Sequence, residues 1–294
     1  MKLGVAFANT GPFAEAEGVV ALATAAERAG IESLWTVEHV IWPREYDSRY
    51  PYSPSGKMPG DESSAIPDPL IWLSFVAART TRLVLGTGIV ILPERNPVVF
   101  AKEVATLASL SGGRLQLGIG VGWLEEEFAA IGVPWERRGA RTDDNVHAMR
   151  ALWAGDGASH DGEFTSFHDV SSNPKPPGGR VPIVVGGHSD AAARRAGRLG
   201  DGFFPGKGTI DELRRMIDVV HQTAADHDRD PSAIEITAAH PGLFGDDPVG
   251  AAEELASVGV SRTIAPAFML LGGDGVDAKA DQLAETIVAP IADV

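Results

Sequence analysis

Glu38 and His39 are the first neighbouring residues in this chain that could do acid–base chemistry. Histidine changes charge near neutral pH, so it can donate to a developing anion or carry a proton. A histidine at the end of a strand is as often a hydrogen-bonding core residue as it is a ligand contact. Here a polar segment rich in proline and tyrosine follows at residues 41–67, and irregular loops of this length are usually functional, typically lids. The pattern therefore favours a ligand contact by His39.

A glycine-rich turn before a helix offers a second kind of chemistry, the binding of an anion. Gly186 and Gly187 let the backbone approach a ligand, and His188 and Ser189 lead into a helix. The first N–H groups of a helix are free and carry a partial positive charge, so this turn can hold a phosphate. The other interpretation is an ordinary turn in which Ser189 caps the helix.

The sequence GIGVGW at residues 118–123 matches a dinucleotide-binding fingerprint only in part. The third glycine of the G-x-G-x-x-G spacing is missing, which argues against a dinucleotide site. We interpret these glycines as making room for a flat ring.

Other chemistries are disfavoured by the composition. The eight histidines form no H-x-H or H-E-x-x-H pattern and the chain has no cysteine, so we expect no metal site and no disulfide. Lys207 lies between glycines without an apolar pocket, which favours a solvated or anion-contacting amine over a Schiff base. Arg137, Arg138 and Arg141 form the densest positive patch, which is either a solvated ion-pair surface or a contact for an anionic tail.

The net charge of −15 argues against nucleic acid and anionic membranes as partners. No apolar run approaches the roughly 20 residues that a membrane helix needs. The first residues, MKLGVAFA, are typical of a strand and too short for a signal peptide. We therefore expect a cytoplasmic protein that acts on a small molecule.

Apolar strands alternate with amphipathic helices along the chain, and these elements must position the polar clusters. Residues 82–123 show the unit: two buried apolar strands enclose a helix that begins at Asn96-Pro97 and ends at Gly112-Gly113. Eight strands are predicted, at residues 3–8, 33–37, 83–85, 115–119, 181–185, 201–204, 234–239 and 262–266. This pattern predicts an α/β fold, a (β/α)8 TIM barrel that forms a single domain over residues 1–294. A doubly wound parallel sheet is the alternative, because the sixth and eighth strands are weak.

Two segments interrupt the alternation. One is the long loop at residues 41–67 after the second strand, and the other is residues 160–177 after the fourth strand, which we interpret as a surface hairpin or excursion. Barrels of this kind bind ligands at the carboxyl ends of their strands. The clusters at residues 38–39, 87–88, 121–123 and 186–189 should therefore meet at one edge.

Four segments of the chain resemble the bacterial luciferase-like superfamily, in its branch of coenzyme F-420-dependent oxidoreductases. They are AERAGIESLWTVEHV, the block from YPYS through DPLIWLSF to SLSGGR, LGIGVGWLEEEFAAIGVPWERRGART and PIVVGGHSDAAARRAGRLGDGFFP. Their order and spacing are specific for the superfamily, less specific for the cofactor and barely informative about the substrate.

The resemblance implies a luciferase-like barrel, usually dimeric, that binds a flavin or deazaflavin across the strand ends. It also implies a non-proline cis peptide after the third strand, matching the Gly88–Ile89 bond. Relatives often carry smaller residues at the position of Trp123. The residues that match cofactor contacts of the family are Glu38, His39, Thr87, Gly88, Ile89, Val121, Gly122, Trp123, Glu127, Gly186, Gly187, His188 and Ser189.

The activity implied by the resemblance is hydride transfer between the deazaflavin coenzyme F-420 and an unidentified small organic substrate. His39 would be the catalytic residue, and Trp42, Tyr46, Tyr50 and Tyr52 would shape the substrate side. One alternative is an FMN-dependent reductase or monooxygenase of the same fold. Another is a non-catalytic flavin- or deazaflavin-binding protein. A homodimer is the expected assembly.

Overall fold

Eight parallel strands close into a barrel in the computed structural model, which describes residues 1–294. The barrel strands are β1 (Lys2–Ala6), β2 (Ser33–Thr36), β3 (Val84–Thr87), β5 (Leu115–Gly120), β8 (Ile183–Gly186), β9 (Gly202–Phe204), β10 (Glu235–Ala238) and β11 (Arg262–Pro266). Their order around the barrel is β3-β2-β1-β11-β10-β9-β8-β5, and pairing of β3 with β5 closes it. This closure excludes the doubly wound sheet. A two-residue strand, β4 (Val90–Ile91), pairs with the end of β5.

Helices follow the strands and cover the outside of the barrel. They are α1 (Ala16–Arg28), α2 (Pro69–Arg79), α3 (Pro97–Leu110), α4 (Glu125–Ile131), α5 (Arg138–Ala154), α6 (Asp190–Leu199), α7 (Ile210–Ala225), α8 (Pro248–Ser257), α9 (Gly275–Leu283) and α10 (Ala289–Ile291). Polar side chains cap the first turns of several helices, as the sequence predicts. The side chains of Asn96 and Ser189 cap α3 and α6, and Thr209 forms a capping box with Glu212 on α7.

Two helices differ from the sequence prediction. The sequence pattern predicts a long helix over residues 141–153, whereas α5 begins three residues earlier, at Arg138. It predicts one last helix over residues 277–288, whereas a π-helical turn at Ala284–Val288 separates α9 from α10. The third strand ends in a bulge between β3 and β4, as the family resemblance implies.

The two predicted interruptions of the barrel are present. Residues 41–67 contain no helix or strand. Residues 160–177 contain most of an antiparallel hairpin, in which β6 (Ala158–Asp161) pairs with β7 (Ser166–Val170). The hairpin is held against α5, because the Asp144 carboxylate accepts hydrogen bonds from the backbone N–H groups of Phe164 and Thr165.

No helix is both long enough and apolar enough to cross a membrane. The cytoplasmic location and the homodimer stay predictions.

The barrel interior is a small apolar layer above a charged one. Ala6, Trp35, Val184, Phe204 and Ile264 pack together inside the barrel, separate from the larger core between strands and helices. The rings of Trp35 and Phe204 meet edge to face with their centroids 5.6 Å apart. Neighbouring strands make room for the indole, since a Cβ on Gly86 would overlap the Trp35 ring.

At the amino ends of the strands, Arg262 fills the barrel. Its side chain is fully buried, and its guanidinium donates to the Glu32 carboxylate through Nε and Nη2, both at 2.8 Å. Nη1 lies 2.8 Å from Glu235 and also donates to the Thr237 hydroxyl. The guanidinium lies 5.3 Å from the centre of the Trp35 ring. A buried cation is tolerated only when it is paired in this way.

Replacing Arg262 tests how far the barrel depends on this network. R262A leaves two carboxylates without their shared cation, so we expect the free energy of unfolding in urea to fall by about 3 kcal/mol. R28A is the matched control, because Arg28 pairs with Asp277 and Asp281 at the surface and should change the urea midpoint little. Equal midpoints for the two variants would contradict a structural role for the network.

Candidate active site

His39 and Glu127 come together at the carboxyl edge of the barrel. His39 lies just beyond β2 and Glu127 lies on α4, yet the His39 Nδ1 and Glu127 Oε2 atoms are 2.9 Å apart. Because a carboxylate only accepts, Nδ1 carries the proton of this hydrogen bond. The imidazole Nε2 makes no hydrogen bond within the chain, so it is free to exchange a proton with a ligand.

Glu127 also holds the chain where it leaves β2. Its side chain is fully buried, and Oε1 accepts hydrogen bonds from the backbone N–H groups of Val40 and Ile41. One carboxylate thus fixes both the imidazole orientation and the start of the 41–67 loop. The family resemblance placed Glu127 among the cofactor contacts, whereas in the structure both of its oxygens are occupied by protein donors.

Glu38 is similarly occupied. Its Oε2 accepts from the Ile91 N–H at 2.6 Å, and its Oε1 accepts from Arg95, which also donates to Asp68 at 3.1 Å. Burial raises the pKa of Glu38, and the positive charge of Arg95 opposes that shift. Asp68 in turn caps α2. Glu38 therefore ties the end of β2 to β4 and α2, and its side chain is buried.

The peptide bond between Gly88 and Ile89 is cis, as the family resemblance implies. Both residues are partly exposed at the end of β3, whereas the Thr87 side chain is fully buried and donates to the Gly118 carbonyl at 2.7 Å. This bulge presents a backbone surface to the barrel mouth.

The glycines of β5 have a different role from the predicted one. A Cβ on Gly118 would overlap the Thr87 carbonyl, and a Cβ on Gly120 would overlap the Ile89 side chain. On β8, a Cβ on Gly186 would overlap Ile89 as well. These glycines make room for the bulge at residues 87–89, and they do not leave open space for a flat ring.

The turn at Val121–Trp123 lies beside His39. The Trp123 and His39 rings meet edge to face at 5.6 Å, and Trp123 also packs against Tyr46 and Tyr50 at 5.8 and 5.1 Å. The backbone N–H groups of Gly122 and Trp123 have no acceptor within the chain. The turn therefore offers free donors next to the imidazole.

The 41–67 loop is fastened on both sides of the mouth. On one side Glu126 accepts from the N–H groups of Asp47 and Ser48. On the other side Lys207 donates to the Pro51 carbonyl at 2.7 Å, and Gly206 lies against the Tyr52 ring, which a Cβ would overlap. Lys207 is thus a backbone contact of the loop, consistent with an exposed amine.

The aromatic residues predicted for the substrate side lie in this loop. The rings of Tyr50 and Tyr52 meet at 5.4 Å, and burial raises the pKa of both phenols. The Tyr46 hydroxyl accepts from the Met58 N–H, and Lys57 lies 4.0 Å from the centre of the Tyr46 ring. Trp42 lies beside Gly60, farther along the loop.

The turn at residues 186–189 has the features of an anion site. Ser189 caps α6 by accepting from the Ala192 N–H, and Gly187 has a φ of 128°, which few other residues adopt. The His188 Nδ1 atom is buried without a hydrogen-bond partner, and burial, together with the positive charge of Lys207, lowers the pKa of this imidazole. An unpartnered buried donor or acceptor is unusual and fits a site that a ligand completes.

The arginine patch is largely used by the protein itself. Arg137 pairs with Glu163, and Arg141 donates to the Pro134 carbonyl. Arg138 stacks on Trp135, with its guanidinium carbon 3.5 Å from the ring centre, and its Nε donates to the Gly122 carbonyl. Of the three arginines, only Arg138 contacts the turn at Val121–Trp123.

Glu94 is a residue that sequence reasoning missed. Both of its carboxylate oxygens are buried without a hydrogen-bond partner. Burial, with the negative charges of Glu127 and Glu38, raises the pKa of Glu94 to about 9. Glu94 is therefore protonated at neutral pH. The sequence gives no sign of this, because Glu94 follows a proline in a polar turn.

A family model described as luciferase-like monooxygenase matches residues 2–288. The class defined by the barrel and its mouth is therefore that of the luciferase-like enzymes, which are oxidoreductases. The chain belongs to the luciferase-like monooxygenase family.

Two relatives and one solved structure illustrate this membership. An uncharacterized protein of Mycobacterium tuberculosis is 38% identical over 198 residues, which cover 67% of this chain and 68% of that protein. An F420-dependent glucose-6-phosphate dehydrogenase of Mycobacterium avium is 36% identical over 242 residues, or 80% of this chain and 66% of that protein. An F420-dependent secondary alcohol dehydrogenase, in complex with an F420-acetone adduct, superposes with a TM-score of 0.78. That structure is 17% identical over 99% of this chain and 98% of its own, so it supports the fold alone.

The role of Glu127 can be tested through the loop that it holds. In E127A the Val40 and Ile41 N–H groups lose their acceptor, so we expect hydrogen exchange of these two amides to become at least about tenfold faster. E125A is the control, because the exposed Glu125 side chain makes no hydrogen bond to the loop. Unchanged protection of Val40 and Ile41 in E127A would show that other contacts fix the loop.

The raised pKa of Glu94 predicts a pH-dependent stability. Between the ordinary pKa of glutamate and about 9, the folded protein holds a proton that the unfolded chain releases, so stability falls as the pH rises. E94Q removes this penalty. We expect the variant to gain on the order of 1–3 kcal/mol over the wild type between pH 5 and pH 8. E103Q is the control, because Glu103 lies on the exposed side of α3, and its stability relative to the wild type should not change with pH. If the stability of E94Q changed with pH in parallel with that of the wild type, the raised pKa of Glu94 would be refuted.

Proposed function

We propose that the protein transfers a hydride between coenzyme F-420 and a small organic substrate. The observation that carries the proposal is the His39–Glu127 pair, whose free Nε2 lies beside the Val121–Trp123 turn at the mouth of the barrel. The relatives named as F420-dependent glucose-6-phosphate dehydrogenases support the choice of cofactor.

The residues at the mouth fit a flat ring with an anionic tail. The backbone at Gly88–Ile89 forms one wall for the ring, and the free N–H groups of Gly122 and Trp123 lie at its edge. The turn at residues 186–189 suits the tail, because the N–H groups of Asp190 and Ala191 have no acceptor within the chain and the Nδ1 of His188 has no partner.

When bound, coenzyme F-420 supplies a ring carbon that gives or takes a hydride, that is, two electrons with one proton. His39 handles the second proton. In the reducing direction its protonated Nε2 donates to the substrate oxygen while the substrate carbon gains the hydride. In the oxidising direction the neutral Nε2 accepts the hydroxyl proton. Glu127 keeps the imidazole in place and stabilises its charged form. The 41–67 loop limits the access of water.

Cofactor binding and turnover test this proposal together. We expect the purified protein to bind coenzyme F-420 more tightly than FMN. Quenching of the deazaflavin fluorescence measures the binding of F-420. With reduced cofactor and a panel of aldehydes, ketones and enones, H39A should lose about 10²- to 10⁴-fold in kcat while its cofactor affinity stays within a few fold. H168A is the control, because His168 lies on the surface hairpin.

Tight FMN binding without F-420 binding would replace the proposal by its FMN-dependent alternative. Binding of F-420 with no oxidation of the reduced form by any substrate would support a carrier protein instead. An H39A enzyme with unchanged turnover would remove His39 from the mechanism.

A further inference from the structure

Large apolar side chains remain exposed at the carboxyl ends of four consecutive barrel strands. The strands β10, β11, β1 and β2 are neighbours in the barrel, and because they are parallel, their carboxyl ends lie on the same edge. The exposed residues that follow them are Phe244 after β10, Phe268 and Leu271 after β11, Phe7 after β1 and Val40 after β2. Phe268 is 68% exposed and Phe7 is 44% exposed. We call these five residues the apolar rim.

The surface inside the apolar rim is apolar as well. Ala6 on β1 and Ile264 on β11 face the barrel interior below the mouth and are 6% and 9% exposed. They continue into Phe204, which lies under the bulge, since a Cβ on Gly88 would contact its ring. An apolar floor thus extends from the bulge at Gly88–Ile89 to the apolar rim. Burying side chains that are exposed in this way makes the binding free energy of an apolar ligand more favourable.

Positive charge is scarce in the same half of the mouth: the Lys279 side chain lies against Gly272, and its amine donates to Gln282. The segments that follow β1, β10 and β11, at residues 7–15, 239–247 and 267–274, contain no lysine or arginine. Its main polar side chains are already used by the protein. Asn9 bonds to the backbone of Val37 and Pro67, and His240 bonds to the Gly242 N–H and lies 3.2 Å from Glu254. A phosphate or carboxylate on the substrate would find no arginine or lysine within these three segments, in a chain with a net charge of −15.

We propose that the substrate is an uncharged molecule with an apolar aliphatic or aromatic body, which the apolar rim and its floor cover while its carbonyl or hydroxyl group faces His39. This inference rests on the proposed F-420-dependent hydride transfer. It separates the chain from its relatives named as glucose-6-phosphate dehydrogenases, because the substrate in that name carries a phosphate.

The test measures binding of methyl ketones to the F-420-loaded protein by calorimetry. From butan-2-one to decan-2-one, we expect the dissociation constant to fall about fourfold for each methylene that becomes fully buried. Hexan-2-one and 4-oxopentanoate form a pair of similar size that differs in charge, and we expect at least tenfold weaker binding of the anion. Glucose 6-phosphate should bind more weakly still.

Variants locate the effect at the apolar rim. F268S and F244S should each weaken decan-2-one binding about tenfold and leave F-420 affinity unchanged. Both side chains are exposed, so folding should tolerate the changes. L110S is the control, because Leu110 is 77% exposed at the end of α3, on the opposite side of the barrel.

Tighter binding of 4-oxopentanoate or glucose 6-phosphate, or no gain with ketone length, would overturn the substrate class. A change of oligomeric state in F268S with unchanged ketone affinity would overturn it too, since the apolar rim would then be a contact between copies. Failure of the wild type to bind F-420 is a different result, because it removes the proposed function itself.

Discussion

A buried carboxylate needs partners, and at Glu127 this requirement organises the mouth of the barrel. Taking an ionised group out of water is costly unless hydrogen bonds replace the lost hydration. Glu127 obtains them from His39 and from the two backbone N–H groups that follow it. The exit of β2, the imidazole and the first residues of the loop are therefore fixed by one side chain on α4. Were one of these donors to move away, the buried carboxylate would lose part of the hydrogen bonding that replaces its hydration.

The mouth has two chemically different halves. The half formed by β3, β5 and β8 presents backbone groups, a turn at a helix N-terminus and an imidazole without a partner for Nδ1. The half formed by β10, β11 and β1 presents apolar side chains, and the segments that follow these strands contain no lysine or arginine. His39, at the end of β2, lies between the two. A polar cofactor and an apolar reactant would thus meet beside His39, whose Nε2 makes no hydrogen bond within the chain.

The alternation of strands and helices was predictable because each βα unit carries its own local signals. Apolar runs, the Asn96 and Ser189 caps and the Thr209–Glu212 capping box are all encoded within a few residues. Even the weak eighth strand, residues 262–266, has the predicted bounds. Family resemblance rather than local pattern supplied the cis bond at Gly88–Ile89.

Tertiary contacts were beyond local reasoning. Glu125, Glu126 and Glu127 are identical in type and consecutive, yet the first is exposed, the second holds the loop and the third binds His39. Only the rotation of α4 against the barrel distinguishes them. The β5 glycines were misinterpreted for a similar reason: the groups that fill the space beside them, the Thr87 carbonyl and the Ile89 side chain, belong to the bulge after β3.

Contacts that attach the 41–67 loop to the barrel come from α4 and from the turn after β9. The hydrogen bonds inside the loop are local, and the segment contains no helix or strand, so substitutions, insertions and deletions there leave the strands and helices of the barrel undisturbed. The sequence of the 41–67 loop can thus vary while the strands and helices of the barrel stay the same. In such a fold, the residues that determine substrate specificity can change during evolution while the residues that determine the reaction are kept.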